Sequence, residues 1–525
     1  MPADQRDLVV LARRIHLLGA AAPVQALLVR DGRVAAAGSE REVRALAGAD
    51  ARVESLGDAV VTPGLTDAHV HLSTWALARR RVDLNAARTV EEGLEAIAAF
   101  AARNPGDGWI LGLGWDVHRW GRLPTAAELD RVAAGRPAYF ESHDIHGGWI
   151  NGEGLRRCGI TRGTADPEGG EIVRDAATGE PAGVLKENAM ELARRTLPRP
   201  GREEVRGALL DAQRECHRLG LTGVHSVEVD GLAHFSAFRE ADELRLRVLQ
   251  AIPVSRLDEA ITVGLRSGFG DAWLRIGGTK MFLDGALGSR TAWLREPYVD
   301  SADRGMQTLP EDEFRAASER AAAAGIATTV HAIGDAAVQR ALDVLSTVPR
   351  PASMPHRIEH VQLCPPDLVE RMASSGIVAS MQPVHLLTDI PSADRHWGRE
   401  RSRGAYPFAP LLRGGATLAF GSDVPVETCD PRPGLFAAVR RVDRDGEPAG
   451  EWWPENGLTA EQALRAYTEG PAVASGEAHR RGRLLPGYDA DLVAWTVDPL
   501  DCPVDALRTM ECALTVVAGE VVHRA

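Results

Sequence analysis

The most constraining feature of this sequence is a central region in which strand-like segments alternate with helix-like segments. Ala-, Arg- and Glu-rich stretches such as EDEFRAASERAAAAG separate many of the apolar, β-rich segments. Eight strands that alternate with helices are typical of a (β/α)8 TIM barrel, which carries its functional groups at the carboxyl ends of the strands. The eight predicted strands are Val61–His71, Thr222–Val227, Leu246–Ile252, Leu274–Leu283, Ala327–His331, Arg357–Val361, Ile377–Gln382 and Thr417–Ser422.

The interval between the first two predicted strands is too long for a single crossover. A strand–helix–strand unit needs roughly 30 residues, whereas residues 72–221 separate these strands. We therefore expect a large insertion at about residues 76–205. It is rich in Gly and Trp, and we expect it to pack over the barrel mouth.

Both ends of the chain have the texture of short β-strands and turns. The segment ALLVRDGRVAAAG contains Asp31–Gly32, a strong hairpin signal, and the C-terminal segment has a turn at Ala518–Gly519. Neither piece has enough strands to be stable alone. We predict one small composite β-sandwich from residues 1–61 and 481–525, around a barrel domain at 62–480; two unrelated β appendages are the alternative.

Composition excludes several classes of partner. The 525 residues include 60 Lys and Arg against 73 Asp and Glu, a net charge of −13. A nucleic acid or an anionic membrane surface would require a basic excess, so we expect a small-molecule substrate and neither of those partners. The chain has no apolar run long enough to span a bilayer, and a homodimer is possible.

The six cysteines contain no C-x-x-C pair. This excludes a disulfide framework and a thiolate zinc site, and it favours a reducing, cytoplasmic location. A short apolar stretch after Arg13 and Arg14 loosely imitates a signal peptide, but we interpret it as the first strands of a domain.

Metal-capable side chains stand at the ends of several predicted strands. In TPGLTDAHVHL, residues Asp67, His69 and His71 alternate onto one face of a strand. Further along the chain, three more predicted strands end in His331, His360 and Asp423. Because imidazole and carboxylate bind divalent ions, this set predicts a metal site assembled from separate strands.

On its predicted strand, Lys280 lies on the same face as Asp284, so its side chain points into the barrel if that of Asp284 does. A buried lysine is costly unless its charge is paired or removed. Reaction with CO2 would give a carbamate able to bridge two metal ions, and an ordinary ion pair with Asp284 is the alternative.

These segments resemble the amidohydrolase superfamily, and specifically its family-3 branch of YtcJ-like metal-dependent hydrolases. The resemblance rests on PGLTDAHVHL, KMFLDGALGSRTA, TVHAIGDAAV, RIEHVQL, FGSDVPVE and GRLLPGYDADLVAW, and covers nearly the whole chain. It implies a (β/α)8 barrel with a composite β-sandwich and an insertion after the first barrel strand.

The resemblance also implies roles for individual residues. His69, His71 and Asp423 would hold a buried ion, and His331 with His360 would hold a second. Lys280, as a carbamate, would bridge the two. The expected metal is Zn2+, as one or two ions, with Mn2+, Fe2+ or Co2+ possible.

The expected reaction is hydrolysis of a non-peptide C–N bond of amide type, such as an N-acyl or N-formyl bond. A metal ion would lower the pKa of water to give hydroxide, and Asp423 would act as general base and acid. The second metal, or His331 or His360 as a donor, would polarise the carbonyl. The alternatives are a cyclic amide, lactone or ester substrate, or a metal-binding barrel without catalytic activity.

Five further residues are candidates for substrate contacts. For each of them the alternative is a purely structural role: ordering its own loop, packing, or forming a salt bridge. They are Trp115 and His146 in the insertion, His225 at the end of the second strand, Arg290 after the lysine strand and His385 after the seventh strand.

Overall fold

The computed structural model describes residues 6–19, 22–142, 147–229 and 231–525. It divides into two compact units. One contains Met1–Ser73 and Leu210–Ala525, and the other contains Thr74–Leu209.

The strands form three sheets. In chain order they are β1 (Leu8–Ile15), β2 (Val24–Arg30), β3 (Arg33–Gly38), β4 (Arg52–Ser55), β5 (Val60–Pro63), β6 (Leu65–Val70), β7 (Val82–Asp83), β8 (Ile110–Trp115), β9 (Ala138–Ser142), β10 (Gly147–Ile150), β11 (Gly170–Arg174), β12 (Pro181–Glu187), β13 (Leu221–Ser226), β14 (Arg247–Pro253), β15 (Leu274–Phe282), β16 (Thr328–Ala332), β17 (Arg357–His360), β18 (Val378–Met381), β19 (Leu418–Phe420), β20 (Leu492–Trp495), β21 (Cys512–Val517) and β22 (Glu520–Arg524).

The helices lie between these strands. They are α1 (Glu40–Leu46), α2 (Leu72–Ala78), α3 (Val90–Arg103), α4 (Val117–Trp120), α5 (Ala126–Asp130), α6 (Gly152–Cys158), α7 (Met190–Arg194), α8 (Arg202–Arg218), α9 (Gly231–Glu240), α10 (Leu257–Thr262), α11 (Glu311–Ala323), α12 (Asp335–Leu345), α13 (Pro366–Ser375), α14 (Leu386–His396), α15 (Phe408–Gly414), α16 (Pro431–Arg440), α17 (Ala460–Ala466) and α18 (Glu469–Ala474). Among the described residues, we find no helix whose length and apolar character would let it cross a membrane.

The central sheet is a parallel barrel. Its strand order is β6-β13-β14-β15-β16-β17-β18-β19, and each neighbouring pair is parallel. Beyond the paired strands, the backbone N–H of Asp423 donates to the carbonyl oxygen of His69 (2.8 Å), and that of His71 to Val424 (2.9 Å). These bonds bring the last strand against the first. The predicted TIM barrel is therefore confirmed.

The first predicted strand is in fact two strands that belong to different sheets. Val61–His71 breaks at Gly64, with β5 in the outer sheet and β6 in the barrel. A Cβ atom at Gly64 would lie 2.3 Å from the side chain of Thr222, so only glycine lets the chain pass this close to the next barrel strand. The preceding Pro63 has no N–H for a sheet ladder.

Strands from both ends of the chain pair in one additional sheet. Its order is β22-β21-β20-β5-β1-β2-β3, with β4 also paired to β1. The Asp31–Gly32 turn between β2 and β3 has φ values of 51° and 73°, which fit a tight two-residue hairpin. Buried apolar residues from both ends, among them Val10, Leu27 and Leu492, pack in one core.

The second unit, Thr74–Leu209, contains its own sheet and core. The sheet order is β11-β12-β10-β9-β8-β7. Its core contains four aromatic residues whose rings pack against one another: Trp115, Trp120, Phe140 and Trp149.

Candidate metal centre

The carboxyl ends of five barrel strands bring the six metal-ligand candidates to one cavity of about 420 Å3. The strands are β6, β15, β16, β17 and β19, and parallel strands end at the same side of a barrel. The cavity is lined by His69, His71, Lys280, Phe282, Ala286, Leu287, Gly288, His331, Ile333, His360, Gln362, His385, Asp389, Asp423 and Val426.

His69 is held by a buried carboxylate beneath the cavity. Its Nδ1 lies 2.5 Å from Oε2 of Glu359, which also accepts two hydrogen bonds from Arg357. Burial raises the pKa of Glu359, but Arg357 and His69 outweigh it and hold that pKa well below its ordinary value. An ionised Glu359 must accept the Nδ1 proton, which leaves the Nε2 lone pair of His69 for a metal.

His360 and His331 are held in defined tautomers by other acceptors. Nδ1 of His360 donates to Oε1 of Gln382 (2.8 Å), which leaves its Nε2 as the ligand atom. Nε2 of His331 donates to the carbonyl oxygen of Gly285 (2.9 Å), which leaves its Nδ1. Each N–H is already used, so neither imidazole has one free to donate to a substrate.

Burial keeps three of the ligand candidates, His69, His331 and His360, neutral at pH 7. Burial, followed by the charge of Lys280, lowers the pKa of His69 to about 4 and that of His331 to about 3. Burial and the neighbouring His331 lower the pKa of His360 well below 6.5. Neutral imidazole is the form that binds metal ions.

Asp423 faces these imidazoles as an ionised carboxylate. Its Oδ1 lies 3.4 Å from Nε2 of His71 and 3.5 Å from Nε2 of His69. Burial raises its pKa, but His69 and His71 outweigh it and bring the pKa below its ordinary value. Its backbone has φ 61° and that of His360 has φ 76°, a left-handed conformation that is uncommon for non-glycine residues.

The side chain of Lys280 is buried and unpaired. Its Nζ has no hydrogen-bond partner within the described chain, and it lies 4.7 Å from the centre of the Phe282 ring. Burial lowers its pKa to about 8. Asp284 instead accepts hydrogen bonds from the backbone N–H groups of Trp293, Ile333 and Gly334, so the alternative Lys280–Asp284 ion pair is not formed.

This donor set fits a divalent ion. Ligand atoms of His69, His360 and Asp423 lie within 4.8 Å of one another, and His71 approaches the same carboxylate. Burying neutral imidazoles, one carboxylate and an unpaired amine together is unfavourable when no cation is bound. The same groups are suitable ligands for a divalent cation. This group of three contains His69 and Asp423, which the resemblance assigns to one ion, and His360, which it assigns to the other. The assignment of the ligands to two separate ions therefore stays a prediction.

Comparison with known proteins identifies the family. A family model described as an amidohydrolase family matches residues 52–523. The chain belongs to the amidohydrolase family. It is 30% identical over 511 residues to the putative amidohydrolase YtcJ of Bacillus subtilis. The matched region covers 95% of this chain and 96% of that protein.

Two other relatives agree with this membership of the amidohydrolase family. The N-substituted formamide deformylase of Arthrobacter pascens is 30% identical over 544 residues, covering 98% of each chain. The crystal structure of an uncharacterized metal-dependent hydrolase from Pyrococcus horikoshii matches with TM-score 0.80 at 28% identity, covering 95% of this chain and 99% of that one. These matches identify the chain as a hydrolase of the amidohydrolase family.

Four of the five residues predicted to contact substrate are among the described residues, and one of these four lines the cavity of this amidohydrolase. His385 does so, with 7% of its surface exposed. His225 lies elsewhere in the barrel, where its Nδ1 accepts from Arg357 (2.9 Å), and the Arg290 guanidinium lies 5.2 Å from the centre of the Tyr298 ring. Neither is among the described residues that line the cavity, so their substrate roles stay predictions.

The two candidates in the insertion have different outcomes. Trp115 is 2% exposed in the core of the second unit, where its indole N–H donates to the carbonyl oxygen of Phe140. His146 lies outside the described residues.

A buried ion pair beneath the metal ligands is not among the residues predicted from the sequence. Arg357 and Glu359 alternate on strand β17 and are 3% and 0% exposed. Arg357 donates to Glu359, His225, Ser380 and the carbonyl oxygen of Ala68. The sequence did carry a signal for this pair. Arg357 and Glu359 have opposite charges and are two residues apart in a predicted barrel strand, so they lie on the same face of that strand.

Proposed function

We propose that this chain is a metal-dependent amidohydrolase that cleaves a non-peptide C–N bond of amide type, such as an N-acyl or N-formyl bond. The observation that carries the proposal is the convergence of His69, His71, His331, His360 and Asp423 with Lys280 on one cavity. The named activity of the formamide deformylase relative supports this bond type.

A divalent cation, with Zn2+ the first choice for this donor set, supplies a more acidic water and an electrophile for the carbonyl. His69 and His360 would offer Nε2 and His331 would offer Nδ1, to one ion or to two, because their other nitrogens are committed to Glu359, Gln382 and Gly285.

Asp423 is the proposed general base and acid. Its low pKa keeps it ionised at neutral pH, so it accepts a proton from the attacking water. It then delivers that proton to the leaving nitrogen as the C–N bond breaks. Its position against His69 and His71 keeps the carboxylate oriented toward the ligand cluster.

Lys280 is the proposed site of a carbamate. Its neutral amine attacks CO2, a C–N bond forms and one proton is released, which gives an N-carboxylate. Burial lowers the pKa of Lys280 to about 8, so a substantial share of the amine is neutral near that pH. The absence of any hydrogen-bond partner within the described chain supports a role in which Nζ is modified.

The test compares hydrolysis rates of the wild-type protein and of the Asp423→Asn variant. We expect zinc-loaded wild-type protein to hydrolyse members of a panel of N-acetyl and N-formyl arylamines, lactams, lactones and esters. Asp423→Asn should lose about 10^2- to 10^4-fold in kcat. Equal turnover by the variant would contradict the assigned base, and preference for lactones or esters would contradict the bond type.

We also propose a location for this protein from its thiols. All six cysteines are free, which supports the proposal of a reducing, cytoplasmic compartment.

A further inference from the structure

Among the described imidazoles that line the cavity, His385 has a buried ring nitrogen without a hydrogen-bond partner in the described chain. The N–H of His69 goes to Glu359, that of His360 to Gln382 and that of His331 to the carbonyl oxygen of Gly285. His385, which follows strand β18 in a short 3-10 turn, is different. Its Nε2 is buried and has no hydrogen-bond partner in the described chain.

The neighbour on the other side of the ring fixes its tautomer. The side-chain amide of Gln362 donates from Nε2 to Nδ1 of His385 (3.4 Å). An imidazole that accepts at Nδ1 carries its proton on Nε2 when it is neutral. The ring therefore presents a donor, and a buried donor without a partner is destabilising unless a ligand satisfies it.

The position of His385 is beside the reacting groups. Its ring is stacked near that of His360, with centroids 6.4 Å apart and planes at 22°. It lines the same cavity as Asp423, the proposed base. His385 therefore forms part of the wall of the cavity that would hold the substrate carbonyl.

We propose that His385 donates its Nε2–H to the carbonyl oxygen of the scissile amide and stabilises the negative charge that develops there. This inference rests on the proposed amide hydrolysis. His385 is then a catalytic residue, and Gln362 is a positioning residue that keeps the donor on Nε2. The substrate class is one whose reacting carbon carries an exposed oxygen acceptor.

The test uses zinc-loaded protein and acetohydroxamate, a small anionic carbonyl ligand. We expect His385→Phe to weaken acetohydroxamate binding tenfold or more in calorimetry. His385→Gln, which keeps an N–H donor, should stay within about threefold of wild type. Gln362→Met should weaken binding about twofold to tenfold, the range of one neutral hydrogen bond.

His356 provides the matched control. It is also a buried histidine (2% exposed) whose Nε2 has no partner in the described chain, and its Nδ1 accepts from the backbone of Thr328. It is not among the described residues that line the cavity. His356→Phe therefore carries a similar cost of repacking but should leave acetohydroxamate affinity unchanged.

Turnover gives a second measurement. On any amide that wild-type protein hydrolyses, His385→Phe should lose about 10^2- to 10^3-fold in kcat, with a smaller change in KM, as for removal of one oxyanion donor. Zinc stoichiometry should be unchanged.

The outcomes separate this inference from the proposed function. Wild-type affinity and kcat in His385→Phe would overturn the donor role while leaving Asp423-dependent hydrolysis intact. Equal losses in His356→Phe would also overturn it. Failure of zinc-loaded wild-type protein to bind acetohydroxamate would contradict the proposed function and the inference together.

Discussion

Glu359 lies directly behind His69, with its Oε2 2.5 Å from the imidazole Nδ1. The two residues are 290 positions apart in the chain and meet because strands β6 and β17 both end at the cavity. A carboxylate in this position fixes the tautomer of a ligating histidine and raises its basicity.

Replacing Glu359 by Gln should weaken zinc binding about 10- to 100-fold, the usual effect of removing such a carboxylate. Competition with a chromophoric chelator measures the affinity. Glu477→Gln is the matched control, because Glu477 is also a buried carboxylate paired with arginines, Arg275 and Arg481. Glu477 is not among the described residues that line the cavity, so equal zinc losses in both variants would show that the effect is general destabilisation.

Arg357 should be important for stability. It is 3% exposed and pairs with Glu359, so its loss leaves an uncompensated buried charge. Arg357→Leu should lower the free energy of unfolding by about 3–5 kcal/mol. The double variant Arg357→Leu/Glu359→Leu should recover part of that loss in urea unfolding of metal-free protein. Strictly additive losses would contradict the pairing.

Lys280→Met should stabilise the metal-free protein. The buried amine has no hydrogen-bond partner in the described chain, so an apolar replacement of similar length should raise the free energy of unfolding by about 1–3 kcal/mol. The same variant should lose zinc. Lys186→Met, at an exposed lysine paired with Glu171, should change neither property. A destabilised Lys280→Met variant would mean that the amine has a partner.

Stability should fall in acid through His217. Burial lowers its pKa from 6.5 to about 4 in the folded chain, so the unfolded chain binds the proton more tightly. The contribution is present above pH 6.5 and is lost as pH falls toward 4, by an amount on the order of 3 kcal/mol. Urea unfolding across this range should show a smaller pH dependence in His217→Gln than in wild type. An exposed-site control, His479→Gln, should match wild type.

Much of the fold follows from the sequence because barrel strands carry local signals. All eight predicted barrel strands are present, and His69, His331, His360 and Asp423 lie at or just beyond strand ends, as predicted. The break at Gly64 was missed, although the Pro63–Gly64 dipeptide is a local turn signal. It depends on the close approach of Thr222, which is 158 positions away.

The hydrogen bonds that orient the site residues were not predictable either, because they join residues that are distant in the sequence. Periodicity places His385 after a strand, but it does not reveal that Gln362 donates to its Nδ1. In the same way, nothing local distinguishes Trp115, which packs in a core, from a tryptophan that faces a ligand. Such relationships join residues from separate strands and loops, and only the three-dimensional structure shows them.

The most direct test of a metal-dependent hydrolase is metal analysis combined with an anomalous-scattering crystal map of the purified protein. We expect one or two ions in the cavity, contacting His69, His360 and Asp423, with carboxylate density on Lys280 where two ions are bound. Zinc-loaded protein that shows no ion in this cavity, or ions only at other sites, would contradict the central claim.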